Sequence, residues 1–111
     1  MIAPLSVNEA IDKLVSLAGH DVSISGLLNF EFENVSLSHW PKSERRGDFE
    51  SSIWISTGVG SLQFDQEVCQ RLSGKLVLIE GTLFAPNPKL GGCGHMNMWP
   101  AEIRARTLEA A

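Results

Sequence analysis

The chain has 111 residues, enough for one domain with a modest core and too few for two. Hydrophobic residues make up 43% and charged residues 20%, the balance of a globular protein, and no apolar run approaches the roughly 20 residues that span a bilayer. The net charge of −4 works against a polyanionic ligand, because phosphate contacts supply most of the affinity of a nucleic-acid binder.

The start, Met1-Ile2-Ala3-Pro4, lacks the basic and long apolar regions of a signal peptide, so a cytoplasmic location is expected. In that reducing compartment Cys69 and Cys93 are expected as free thiols. Ser6-Val7-Asn8-Glu9 then spells a capping box, and Val7, Ile11, Leu14, Val15 and Ala18 form one stripe at helical spacing. Gly19 suits the left-handed backbone that closes a helix, so residues 1–19 are predicted as an N-terminal helix.

Residues 21–33 alternate apolar Val22, Ile24, Leu28, Phe30 and Phe32 with polar positions, the period of a half-buried strand. Gly26 falls on the apolar register, where a missing side chain allows sharp coiling or close approach of another backbone. Glu33-Asn34 is expected to turn the chain into a second strand at 35–39. The run from Trp40 to Asp48 is a polar, charge-interleaved loop. A third strand, near 51–57, sets Ile53 and Ile55 on one face and Trp54 on the other, and Gly58 and Gly60 end it.

Asp65 is a suitable N-cap for a short helix that turns Val68, Cys69 and Leu72 inward and stops at Gly74. A fourth strand at 75–85 is apolar on both faces in its first half, Leu76 to Ile79, which predicts a position covered on both sides. Pro86 to Gly94 is a loop by composition. The last strand, about 96–106, places Trp99, Ala101, Ile103 and Ala105 on one side and Glu102, Arg104 and Arg106 on the other, with 107–111 as a tail.

One phrase is written twice. Leu17-x-Gly19-x-x-Val22-x-Ile24-x-Gly26-x-Leu28 recurs as Leu72-x-Gly74-x-x-Val77-x-Ile79-x-Gly81-x-Leu83. Each copy is a helix stopped by glycine and followed by a strand with a glycine in its middle. Three strands, a helix and two strands, with bent strands one and four, resembles an OB-fold protein over residues 20–106. The fold class expected is therefore mainly β with two helices: a five-stranded OB-like Greek-key barrel (β-β-β-α-β-β) preceded by an N-terminal helix, all in one domain. The segment Gly94-His95-Met96 before the last strand is also similar to small uncharacterised bacterial proteins, a resemblance that implies no activity.

The OB resemblance implies a binding face on strands two and three, rimmed by the loop between strands one and two and by the loop between strands four and five, here residues 86–96. On this chain the candidate contact residues are Trp54 on the face, Trp40, Lys42, Arg45 and Arg46 on the adjoining loop, and Lys89 and His95 on the rim. Aromatics beside cations can stack bases and grip phosphates of single-stranded nucleic acid, but Glu44, Asp48 and Glu50 interleave with these cations. Trp54 has a bland alternative, packing beneath the N-terminal helix.

Cys93-Gly94-His95 offers a thiol and an imidazole, yet that is only two ligands of the four a structural zinc needs, and His20 and His39 lie on other elements. There is no P-loop, dinucleotide fingerprint, HExxH or GxSxG. No catalytic residue, metal or cofactor is expected, so the protein reads as a non-enzyme. A protein partner or a small ligand on the barrel face is the first expectation, including an inhibitor or immunity-type role against a basic partner. Single-stranded nucleic acid is the alternative, and no membrane association is expected.

Overall fold

The computed structural model describes residues 4–31, 34–56 and 66–111. The elements run β1 (Leu5–Ser6), α1 (Val7–Asp12), α2 (Leu14–Leu17), β2 (Asp21–Glu31), β3 (Asn34–Ser38), β4 (Ser52–Ser56), α3 (Gln66–Leu72), β5 (Leu76–Phe84) and β6 (Glu102–Ala110). Short helical turns at Lys42–Glu44 and His95–Asn97 punctuate two of the loops. The protein is thus mainly β, with three short α-helices and a six-stranded sheet among the described residues.

Hydrogen bonding runs round a ring. β2 pairs antiparallel with β3, β3 with β4, β4 in parallel with β6, β6 antiparallel with β5, and β5 back onto β2. The two-residue β1 adds in parallel beside Ile24 and Ser25 of β2. The alternating residues Ile24 and Leu28, Leu37, Ile53 and Ile55, Val77, Ile79 and Leu83, and Ala101, Ile103 and Ala105 all point into one buried core. Period-2 patterning fixes this register, because a slip of one residue would turn every core side chain outward.

The glycines set in the strands act as the doubled phrase predicts. A Cβ on Gly26 would lie 2.7 Å from the Ser38 carbonyl oxygen and 2.9 Å from Leu37 Cγ, so β2 and β3 close together only over a missing side chain. A Cβ on Gly81 would run into the Arg104 carbonyl oxygen, beside a bulge in the β5–β6 ladder. Gly19 and Gly74 stop their helices with φ of +83° and +79°.

Several sequence expectations need correction. The single N-terminal helix is broken at Lys13, whose φ −101° and ψ 15° leave the helical region. The break shifts the phase of the stripe, so Leu14 and Leu17 pack on the core and Val15 is 98% exposed. Ser6 and Glu9 do form the capping box. Asn34 begins β3, paired with Glu31, and is not a turn residue.

β5 is not covered on both sides: Val77 and Ile79 are buried, whereas Leu76 is exposed and Leu78 only partly buried. The last strand is displaced toward the C-terminus. It starts at Glu102, because Met96 and Asn97 adopt left-handed backbone at φ 57° and 56° and cannot extend a strand. Residues 107–110, expected in a tail, pair with β5 from Glu80 back to Val77. Phe32, Glu33, Gly58, Gly60 and Asp65 lie outside the described residues.

Candidate functional site

Apart from Trp54, the outer face of β3 and β4 is polar and already partnered. Asn29 Nδ2 donates to Ser38 Oγ at 2.7 Å and to Ser36 Oγ at 3.2 Å, and Ser36 Oγ donates to Asn34 Oδ1. Ser36, Ser38 and Ser52 are nonetheless buried, so these bonds replace the water that such hydroxyls would otherwise hold. Trp99, also buried, donates from Nε1 to Ser52 Oγ at 3.1 Å.

Trp99 anchors an aromatic cluster outside the main core. Its ring lies 4.8 Å from Trp54, tilted 56°, and 4.9 Å from Phe49, edge to face at 88°. Gly94 sits directly on the Trp54 indole, with φ +73°, so any Cβ there would collide with the ring. Trp54 therefore points outward as expected, but its neighbours are Trp99 and the loop around Gly94. With Gly94 over its ring and Trp99 inclined against it, this indole has given up a face that would receive a base.

That loop is closed at its neck by backbone hydrogen bonds. Cys93 and Trp99 exchange both backbone bonds, N–H to carbonyl, at 2.8 and 3.1 Å, and Asn97 N–H returns to the Gly94 carbonyl. The enclosed tip carries Met96, 74% exposed, and Met98, 49% exposed. Leu90, also exposed, stands just before it on a turn that Asn87 organises through bonds from the Lys89 and Leu90 N–H groups. Lys89 and His95 are exposed on this same loop. Beside the neck is a cleft of about 290 Å³ lined by Phe84, Leu90, Gly94, Asn97, Glu102 and Arg104.

Cys93 is buried at the base of the loop. Burial first, and then the negative charge of Glu102, push its thiol from 9.0 up to about 11. At neutral pH it is a protonated thiol, which makes it a poor nucleophile and a poor metal ligand. Among the described residues no group of three or more His, Cys, Asp or Glu side chains is placed to hold a metal.

The cations of the loop between β3 and β4 are turned to a structural task. Arg46 grips Asp12 of α1 through two parallel bonds, the longer 2.8 Å, and this holds the Asp12 carboxyl below its usual range. Arg45 Nε donates to the His39 carbonyl at 2.8 Å. The buried His39 ring accepts the Asn8 N–H at Nδ1, 3.1 Å, so its proton sits on Nε2 and faces Glu44 Oε1 at 3.2 Å. Asn8 Nδ2 completes the junction on the Glu44 carbonyl. Lys42 is exposed in the turn, and Trp40 is 47% exposed beside it.

The seven residues singled out from sequence therefore divide. Trp54, Lys89 and His95 belong with one loop; Arg45 and Arg46 are committed to the helix junction; Trp40 and Lys42 stand on the surface of that junction. Trp99, Phe49, Met96, Met98 and Leu90 were not foreseen as site residues. The legible signal was three large apolar side chains in a glycine-rich loop with no element to bury them. No protein-family model matches the chain, and no curated protein matches it.

Proposed function

We propose that this chain is a non-enzymatic binding module, an OB-like Greek-key barrel that takes a basic protein partner on the loop between β5 and β6. The barrel reading is supported by the strand order: three strands, a helix and two strands, with the third and last paired in parallel to close the ring. The observation that carries the binding reading is the loop tip. Met96 and Met98 stand out in solvent on a tip turned by the left-handed backbone of Met96 and Asn97 and closed by the Cys93–Trp99 bridge, and thioether side chains adapt readily to a partner surface.

A preorganised apolar tip avoids part of the ordering cost of association. The net charge of −4 favours a basic partner, since complementary fields speed encounter. A cytoplasmic setting suits the two free cysteines. Nucleic acid fits less well, because the Trp54 ring is packed against Gly94 and Trp99 and Arg46 is neutralised by Asp12.

The test compares the wild-type chain with a Met96→Glu, Met98→Glu variant, both checked for folding by circular dichroism and immobilised for capture from source-cell lysate. A basic protein retained by the wild type, released as salt rises and lost from the variant is the expected result. Equal retention by both, or salt-sensitive quenching of tryptophan fluorescence by oligo-dT in place of a protein partner, overturns the reading.

A further inference from the structure

Away from this loop, a second cleft of about 460 Å³ lies where β1 and α2 meet the start of β2. Leu5, Leu17 and Val22 give it an apolar floor continuous with the core, and Lys13, Asp21, Glu80 and Arg106 give it a charged rim. Its size falls within the range of small-molecule sites, roughly 300–1,000 Å³.

Arg106 reaches this rim through a specific backbone device. Glu80 pairs with Thr107 and Gly81 with Ala105, so Arg106 is the extra residue of a β-bulge. Bulges re-aim side chains. Here the guanidinium crosses β5 to β2, where Nη1 donates to Asp21 Oδ1 at 2.9 Å and to Thr82 Oγ1 at 3.2 Å. Thr82 Oγ1 also donates to Asp21, and these two partners hold the Asp21 carboxyl below its usual range. Asp21 and Arg106 thus answer each other, while Lys13, whose charge is also felt by Glu9 four residues before it, and Glu80 supply one further rim charge of each sign.

We infer that this cleft binds a small apolar zwitterion: an apolar side chain on the Leu5–Leu17–Val22 floor, with a carboxylate toward Lys13 and an ammonium toward Glu80. A ligand carrying both charges leaves no rim charge unmatched, whereas a simple carboxylate or amine satisfies only one side. A free apolar amino acid and the ends of a short apolar peptide share this chemistry. The inference does not depend on the protein-partner reading.

The experiment is a two-dimensional amide NMR titration of the full chain with leucine, phenylalanine and the dipeptide Leu-Leu into the millimolar range. Saturable shifts at Lys13, Leu17, Val22 and Glu80 are expected, and the relative affinities of leucine and Leu-Leu identify the source. N-acetyl-leucine and isopentylamine, each lacking one charge, should bind about tenfold more weakly, as should leucine to Lys13→Met and to Glu80→Gln. Met96→Glu should leave the titration unchanged, so this site and the loop fail separately. Absence of saturation with every zwitterion, or equal binding of N-acetyl-leucine or isopentylamine, overturns the inference.

Discussion

Cys93 owes its chemistry to its surroundings. The sequence sets a thiol two residues from an imidazole, too few groups for a site, and the structure adds that Cys93 is buried beside its backbone bridge to Trp99, with Glu102 as a repelling charge. Because the folded value is raised from 9.0 to about 11, the folded state holds this proton more tightly than the unfolded chain does. The resulting stabilisation is full below pH 9.0 and is lost as pH rises toward about 11. We expect iodoacetamide to label Cys93 slowly at neutral pH, and the urea midpoint of the wild type to fall over that alkaline window relative to Cys93→Ala. Rapid labelling at neutral pH, or parallel profiles for the two proteins, would contradict this. The tripeptide was visible in the sequence; the burial of its thiol and the approach of the Glu102 charge follow from the fold.

At the scale of elements, the junction between α1 and the loop after β3 shows how polar side chains fix an otherwise short helix. α1 has only 6 residues, too few to be stable alone in water. Its capping box is local and legible from Ser6 and Glu9. The contacts of Asn8 and Asp12 with His39, Glu44 and Arg46 span more than 30 positions and leave no periodic trace.

His39→Ala removes the acceptor of a buried N–H and should cost about 1–3 kcal/mol in urea unfolding, with faster hydrogen exchange at the Asn8 amide. An unchanged midpoint and unchanged exchange would show that the ring does not hold the helix. Similar physics explains the misplaced stripe. The helical period was read through Lys13, but packing of Leu14 and Leu17 on the core overrides continuity and turns Val15 to solvent.

For the whole molecule, closure of the hydrogen-bonded ring is the decisive property, and the C-terminal residues take part in it. Leu108, Glu109 and Ala110 pair with Ile79, Leu78 and Val77, and Ala111 N–H reaches the Leu76 carbonyl. Deleting residues 107–111 should therefore unprotect the amides of the first half of β5 in hydrogen exchange and lower the thermal midpoint. Retained protection at Val77 to Glu80 would mean that this part of the ladder is dispensable.

The alternation that separates core from surface, the two helix stops at Gly19 and Gly74, and the bend positions at Gly26 and Gly81 are written in the order of residues along the chain. Those are local steric and periodic facts, carried by a few neighbouring residues. That Trp54 packs against Trp99, that Arg46 is taken up by Asp12, and that a bulge sets Arg106 on the rim of a cleft emerges only once the chain has closed on itself. Each of those pairs residues far apart in the chain, and which distant groups meet is set by closure of the ring, not by the pattern along any one strand.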